Sequence, residues 1–393
     1  MHKLILILVF YLNSIIVFGS SFSKVDTLLK QKQFLDAWNL LSKKENKKNK
    51  VNINLKKFEI CLNYFTKSVS HQAFAFTNLK PSQSLIRQRI LAETKTIPIV
   101  QFKINEVLDS LLNEYPENYL LHKAKGDYYY DIFILYGRDW IVNRQEVLRR
   151  MFTAYDKAEK NGVMDYLSLY ALGYFYNLNE QSNKALQYFN RSLKLDSNYA
   201  PTHYNLAYIY SSRDSNEIAL YHSWNAYRLY KYINYRNDAG QMTGSLLGKL
   251  NRHEEAISIL LDCDRLIPNT YQTYSYLLNS FLSLNKMTEA MVTTQNMFSL
   301  DWKSHTINTD IIESYIKNNH IDQLIQFYNS RLEIEKYDME FRGYIQLHLA
   351  QAYSLVSEED KILEYIELAR ASFNICFDSS HPVFGVLNNM ENK

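Results

Sequence analysis

Residue types that carry catalysis occur in this chain, but not at catalytic spacings. Two histidines three or four residues apart on a helix would bind a metal ion, and none of the ten histidines lie that close together. Residues 244–249, GSLLGK, lack both the spacing of a phosphate-binding loop and the Ser or Thr that follows its lysine. The sequence therefore predicts no catalytic residue, no metal site and no cofactor.

Two questions stay open at the level of sequence: whether the chain carries a catalytic carboxylate pair, and what the insertion around Trp140 does. Carboxylate pairs that hydrolyse glycosides converge only in space, so an enzyme on a helical scaffold, acting on extracytoplasmic polymers such as glycans, remains the alternative function. Arg138 and Asp139 beside Trp140 would form a binding tip on an exposed insertion. A helix extension, or a loop packed back on the protein, is the other interpretation of that insertion.

The composition favours long helices over a turn-rich β fold. Among 393 residues there are only 10 Gly and 6 Pro but 32 Tyr and 20 Phe, so chain breakers are few and residues to bury are many. The 44 basic and 41 acidic side chains leave a net charge of +3. This near balance argues against the concentrated positive charge that nucleic-acid binding requires.

Residues 1–19 predict a secretory signal peptide. One lysine precedes an apolar run from Leu4 to Phe18, which is shorter than the ~20 residues that span a bilayer. An uncleaved N-terminal anchor is the alternative. No other segment is long and apolar enough for a membrane helix, so we expect the mature chain to be exported, either periplasmic or secreted.

The cysteines are too few and too scattered for a disulfide framework. They are Cys61, Cys263 and Cys376, and one bridge between two of them is possible in an oxidising compartment. An odd count leaves at least one thiol free. Cys263 lies among apolar residues, which is typical of a buried cysteine.

A pattern of small and aromatic residues recurs along the chain. In residues 172–189, LGYFYNLNEQSNKALQYF, Gly173 and Tyr176 lie on one predicted helix and Ala185 and Phe189 on the next, with a polar turn between them. The pattern repeats after steps of 34, 37, 34, 34 and 38 residues, and the Tyr176 position becomes Tyr210, Leu247, Phe281, Tyr315 and Tyr353. Small residues allow two helices to cross closely, so we expect Gly173 at a crossing and both Tyr176 and Phe189 in the core.

This spacing resembles the tetratricopeptide repeat, which has a small residue and an aromatic on one helix and Ala, an aromatic and Ala on the next. The resemblance covers residues 166–377 in about six copies and implies an all-α solenoid, a right-handed superhelix of antiparallel helix hairpins. Upstream, residues 20–120 would form irregular helical hairpins and 121–165 a degenerate hairpin with an insertion. Residues 378–393 would be a C-terminal tail.

In proteins of this family the first helices form a concave wall that binds extended or helical peptides. The inward positions, three before and one after the Gly173 place, and a neighbouring asparagine give the predicted partner-binding residues Tyr170, Tyr174, Tyr204, Asn205, Tyr208, Gln241 and Asn279. Alternatively, these tyrosines pack against the next hairpin. The resemblance implies a non-enzymatic scaffold outside the cytoplasm that binds protein or peptide partners, with no nucleic acid and no integral membrane span.

One version of the family clamps a C-terminal carboxylate with Lys and Arg side chains. Only Asn205 matches that version here. The positions of its basic residues hold Tyr170, Tyr174, Asp238 and Met242, so recognition of that type is not expected.

Overall fold

A computed structural model describes residues 22–31, 33–62, 102, 104–136 and 142–391, with only the backbone of 135 and 136. The predicted signal peptide and the insertion residues Arg138, Asp139 and Trp140 lie outside the described residues. Within the described part, every regular element is an α-helix and there is no strand. The all-α prediction is therefore confirmed.

The chain divides into two compact units, Met1–Ser197 and Asn198–Lys393. The helices described in the first unit are α1 (Ser23–Lys30), α2 (Phe34–Lys44), α3 (Lys50–Ile60), α4 (Ile104–Glu114), α5 (Tyr119–Tyr136), α6 (Arg144–Glu159), α7 (Tyr166–Leu178) and α8 (Ser182–Leu195). Those described in the second unit are α9 (Ala200–Ser211), α10 (Asn216–Leu229), α11 (Ile233–Lys249), α12 (His253–Leu266), α13 (Tyr271–Ser283), α14 (Met287–Leu300), α15 (His305–Lys317), α16 (Ile321–Ile334), α17 (Met339–Leu355), α18 (Glu359–Cys376) and α19 (Pro382–Glu391).

The hairpins from α7 to α18 share one turn geometry. Each turn passes through a residue in the left-handed region, with φ from 54° to 59°, and these residues are Glu180, Asp214, Asn251, Asn285, Asn319 and Ser357. Asn and Asp tolerate this conformation better than other non-glycine residues. The next N–H then donates to a carbonyl of the first helix, as Gln181 does to Tyr176 at 2.9 Å. The turns are separated by 34, 37, 34, 34 and 38 residues, the steps predicted from the apolar pattern.

In several hairpins the helices cross at a glycine of the first helix. A Cβ atom added at Gly173 would lie 2.7 Å from the ring of Phe189, and one added at Gly244 would lie 2.5 Å from Leu260. Phe189 and Leu260 are fully buried. Glycine is required at these two places because any larger residue would push the helices apart.

Tyr176 differs from the prediction, since it is half-buried and not a core residue. Its ring stacks on Tyr188, with centroids 5.2 Å apart, and meets Phe152 edge-on at 5.7 Å. The ammonium of Lys184 lies 5.0 Å from the same ring. Tyr176 lies three residues after Gly173, towards the turn and beyond the point where the two helices cross.

The predicted C-terminal tail contains helix α19. Its residues Val383, Phe384 and Leu387 are buried in one cluster with Ile366 and Phe373 of α18. Apolar residues three and four positions apart form one face of a helix, so the signal was present in the sequence. The helix covers the apolar end of the last hairpin.

The three cysteines are free thiols, with Cys61 and Cys263 buried and Cys376 exposed. Burial raises the pKa of Cys263 to about 12, so its thiol stays protonated as a core group. In the described segments, no helix has the length and apolar character needed to cross a membrane.

Candidate functional site

The first helices of three successive hairpins in the second unit line a cleft of about 500 Å³. Its lining residues are Tyr204, Tyr208, Ser211 and Ser212 from α9, Asp238, Gln241, Met242, Ser245, Leu246 and Lys249 from α11, and Gln272 and Tyr276 from α13. An adjoining cleft of about 210 Å³ shares Ser245, Lys249 and Tyr276 and is otherwise lined by Gly244, Gly248, Asn279, Ser280 and Lys317. We call the two clefts together the α11 groove.

The groove follows the length of α11. Asp238, Gln241, Ser245 and Lys249 are three to four residues apart, which places them on one face of the helix. They therefore span about 16 Å at 1.5 Å per residue. A long, open face of this kind suits an extended ligand better than a compact one.

Helix α13 runs parallel to α11 along this face. Near the start of α13, Gln241 Nε2 donates to Thr273 Oγ1 at 2.9 Å. Near its end, a Cβ added at Gly248 would lie 4.0 Å from Ser280 Oγ. The two contacts are seven residues apart on each helix. The two helices therefore run side by side in the same register along this face of the groove.

Two tyrosines of α9 supply the aromatic wall. Tyr208 is 59% exposed, whereas Tyr204 is half-buried and meets Tyr230 at 6.3 Å. Burial, and then the charge of Asp238, raises the pKa of Tyr204, so its hydroxyl stays neutral at physiological pH. A neutral phenol offers an apolar ring together with a hydrogen-bonding group.

The groove contains three charged residues. Asp238, Lys249 and Lys317 are exposed. None of the three forms an ion pair with another described residue. Partial desolvation raises the pKa of Asp238. Unpaired charges beside aromatic rings can select a ligand by its charge.

The groove brings together four residues predicted from sequence, Tyr204, Tyr208, Gln241 and Asn279. The side chain of Gln241 already bonds Thr273, and Asn279 Oδ1 accepts from Asn318 at 3.3 Å. These two amides are therefore held in place by neighbouring helices.

The remaining predicted residues lie elsewhere. Asn205 Nδ2 donates to the carbonyl of Pro201 in its own helix at 2.9 Å, and Asn205 does not line the groove. Tyr170 and Tyr174 belong to the first unit, and their rings lie 6.2 Å apart. Tyr170 is buried and packs 5.7 Å from Phe189 of its own hairpin, while its predicted role in binding stays a prediction.

Sequence reasoning did not select Tyr276, Lys249 or Lys317, and noted Asp238 only as a mismatch. A signal for two of them was present, since Asp238 and Lys249 continue the helical face that contains Gln241 and Ser245. Lys317 lies two 34-residue steps after Lys249, so the repeat spacing also gave a signal for it, but only the structure shows that both lysines line one cleft.

The first unit holds a cavity of about 520 Å³ whose lining includes the carboxylates of Glu59, Asp127, Asp131 and Asp165. A cluster of this kind is what the alternative, a glycan-cleaving enzyme, would need. Lys123 lies between two of the carboxylates, with Nζ 2.9 Å from Asp127 and 2.8 Å from Asp165.

The two carboxylates beside Lys123 hold helices in place. Tyr155 donates to Asp127 at 2.9 Å, and Asp165 caps α7 by accepting the Ser168 N–H at 2.9 Å. Burial raises the pKa of Asp127, whereas at Asp165 the charge of Lys123 and the hydrogen bonds from Lys123 and Ser168 together outweigh burial and lower the pKa. The contacts are those of a structural ion-pair network, so the enzyme alternative is not favoured.

Comparison with known proteins supports the repeat assignment. The tetratricopeptide-repeat family model matches residues 166–199. Comparison with curated protein sequences gives no match.

Three solved structures have similar arrangements of helices. YrrB, described as a TPR protein with an unusual peptide-binding site, is 17% identical over 47% of this chain and 94% of its own, with a TM-score of 0.39. PilF of Pseudomonas aeruginosa is 12% identical over 56% and 96%, with a TM-score of 0.41. The apo form of RapI is 13% identical over 91% and 98%, with a TM-score of 0.44.

The matched segment, residues 166–199, is the hairpin of α7 and α8. Its left-handed turn residue, Glu180, has equivalents in each of the next five hairpins. One copy therefore matches the tetratricopeptide-repeat model, and the next five hairpins repeat its turn geometry at steps of 34 to 38 residues.

Proposed function

We propose that this chain is a non-enzymatic scaffold that binds an extended segment of a protein partner in the α11 groove. The observation that carries the proposal is the groove itself, where exposed Tyr208 lies beside charged groups that form no ion pair with any described residue. The tetratricopeptide fold favours protein or peptide partners in general, and the groove gives that general role a location.

The groove has the chemistry that an extended peptide requires. Tyr208 and Tyr276 offer rigid aromatic surface, which binds at a small cost in conformational entropy because each ring has few rotatable bonds. The hydroxyls of Ser211 and Ser245 and the amide of Gln272 line the same face and can bond the ligand main chain. At about 3.3 Å per extended residue, the 16 Å face of α11 accommodates roughly five peptide residues.

The test is a steric block that leaves the fold intact. At Gly248 the nearest atom to an added Cβ is 4.0 Å away, so Gly248→Leu fits the helix and extends into the smaller cleft. Replacing glycine within a helix also favours the helix by up to ~1 kcal/mol. The matched control is Gly385→Leu, because Gly385 is an exposed helical glycine of α19 with no atom within 4 Å of an added Cβ.

Peptides selected from a displayed random library on the purified chain would be synthesised and measured by fluorescence anisotropy. We expect Gly248→Leu to weaken their binding at least about tenfold, since a blocked hot spot typically costs more than 1.4 kcal/mol. Gly385→Leu should bind like the unmodified chain. Equal binding by both variants, or a selection that enriches no peptide, would contradict the proposal.

We also propose that the chain acts outside the cytoplasm. The support is the apolar run of residues 4–18 behind a single lysine, which lies outside the described residues. The test is the N-terminal sequence of the protein recovered from a cell that expresses the full chain. Cleavage near residue 19 supports export, and recovery of the intact N-terminus in the cytoplasmic fraction argues against it.

A further inference from the structure

The two ends of the α11 groove carry opposite charge. Asp238 lies towards the start of α11, and Lys249 is its last residue. Lys317, the last residue of α15, lines the same smaller cleft as Lys249. The groove is therefore acidic at one end and doubly basic at the other.

We infer that the preferred ligand is an extended peptide in which a Lys or Arg is followed or preceded, about five residues away, by an Asp or Glu. This inference rests on the proposed function, and it adds the sequence pattern of the ligand. The cationic side chain would pair with Asp238, and the anionic side chain would lie between Lys249 and Lys317.

The charges of the groove contrast with neighbouring ones that already have partners. On the same helix, Arg236 pairs with Asp262 at 3.2 Å, and further along the unit Lys303 pairs with Glu340 at 2.5 Å. Asp238 is two residues from Arg236 but points into the groove and forms no ion pair with a described residue. Its charge is available to a ligand.

Helix electrostatics explain only part of this pattern. A lysine at the C-terminal end of a helix interacts favourably with the helix dipole, and this accounts for Lys249 without any ligand. It does not account for the convergence of Lys249 and Lys317, from two hairpins, on one cleft. Both lysines line this cleft, so an acidic ligand group bound there would be attracted by two positive charges.

The spacing of the charges sets the spacing in the ligand. Asp238 and Lys249 are separated by three turns of α11, or about 16 Å along the axis. An extended chain covers that length in about five residues. Tyr208 and Tyr276 lie between the two ends, so the intervening residues of the ligand would contact aromatic rings.

The probes are pools of acetylated, amidated peptides with two fixed positions about five residues apart and random residues elsewhere. One pool carries Lys and Glu in both orders, two pools replace one charge by Gln, and two further pools carry Lys twice or Glu twice. Because the peptide ends are blocked, a terminal carboxylate or amine contributes nothing. Binding of each pool to the full chain is measured by competition.

We expect the unmodified chain to prefer the Lys and Glu pool by about threefold over each Gln pool, the size of a partly exposed ion pair. Asp238→Lys should shift the preference to the pool with Glu twice. The double change Lys249→Glu with Lys317→Glu should shift it to the pool with Lys twice. The control Lys336→Gln removes an exposed charge after α16 and should change no preference.

The outcomes separate this inference from the proposed function. If every pool binds equally and Gly248→Leu still blocks binding, the charge pattern is wrong and the peptide-binding groove stands. A preference for Glu alone or for Lys alone would also overturn the two-charge pattern. If no pool binds and the library selection enriches nothing, both proposals fail.

Discussion

The tyrosine pair on α7 and its counterpart on α9 have the same spacing but different surroundings. Tyr170 is 8% exposed and contacts Tyr130, Tyr174 and Phe189. One repeat later, Tyr204 is half-buried and Tyr208, the equivalent of Tyr174, is 59% exposed, and both line the α11 groove. The repeat register places a side chain on a helix face, and the neighbouring side chains decide whether that face is core or binding surface.

A second pair of equivalent positions shows the same divergence. In the first unit, Tyr176 stacks on Tyr188 with centroids 5.2 Å apart. One repeat later, Tyr210 stacks on His222 at 5.8 Å. Both pairs of rings are stacked, but the second stack contains a histidine, whose ring can be protonated at acidic pH.

The largest expected loss of stability comes from a substitution in the core of the α7 and α8 hairpin. Phe189→Ala should lower the free energy of unfolding by ~3–5 kcal/mol, because it removes a fully buried ring at the point where α7 and α8 cross. Urea unfolding followed by circular dichroism measures this. A loss below ~1 kcal/mol would mean that the α7 and α8 crossing is not a packed core.

The next effect tests the close approach of the same two helices. Gly173→Leu should cost ~1–3 kcal/mol or more, because even a Cβ atom would lie 2.7 Å from the Phe189 ring. Gly385→Leu, with open space around its Cβ, should change stability by less than ~0.5 kcal/mol. Equal effects at the two glycines would show that helix propensity, and not packing, governs both.

An intermediate effect concerns pH and the Tyr210 stack. Burial, and then the neighbouring His203, lowers the pKa of His222 from 6.5 to about 4. The Nδ1 atoms of the two histidines lie 2.9 Å apart. Since the folded state binds this proton more weakly than the unfolded state, the stability that neutral His222 contributes is complete above pH 6.5 and is lost progressively as the pH falls towards 4.

The measurement compares urea unfolding of the unmodified chain and of His222→Gln between neutral and acidic pH. Other buried histidines, such as His348, also lose stability on acidification, and their share is common to both proteins. The variant should therefore lose less stability than the unmodified chain over this pH interval. Parallel curves would show that His222 does not titrate in this way.

The smallest expected change in stability comes from a substitution in the α11 groove, at the exposed Tyr208. Tyr208→Ala should change the free energy of unfolding by less than ~0.5 kcal/mol, because most of the ring is in solvent. It should nevertheless lower the affinity for the selected peptides by about tenfold, as loss of an aromatic contact residue commonly does. Tyr170→Ala removes a buried tyrosine of α7 and should do the reverse, destabilising the fold without a direct effect on the groove.

Several features of the fold could be predicted from local pattern. The steps between repeats, the small residue at Gly173 and the apolar positions around it all follow from contacts within one hairpin. The half-buried state of Tyr176 and the helix α19 were missed for different reasons. Tyr176 occupies the position that the repeat pattern assigns to the core, but it lies past the point where α7 and α8 cross. Helix α19 follows the last repeat, so the repeat pattern did not predict it.

The candidate site was predictable to a smaller extent. Tyr204, Tyr208, Gln241 and Asn279 line the α11 groove, while their role in binding stays a prediction. Asn205 turns back to its own helix, because its amide finds the Pro201 carbonyl one turn earlier. Whether the Asn205 amide bonds its own helix or a ligand depends on the side-chain rotamer. The repeat pattern contains no information about that rotamer.

The repeat length, the spacing of the hairpin turns and the small residues at the crossings follow from the amino-acid sequence alone. These features depend on residues close together in the chain, so their period is visible without a structure. The structure was needed to show which tyrosines are covered and that Asp238, Lys249 and Lys317 line one groove. Exposure and charge pairing depend on side chains from other hairpins, whose identities the repeat leaves free to vary.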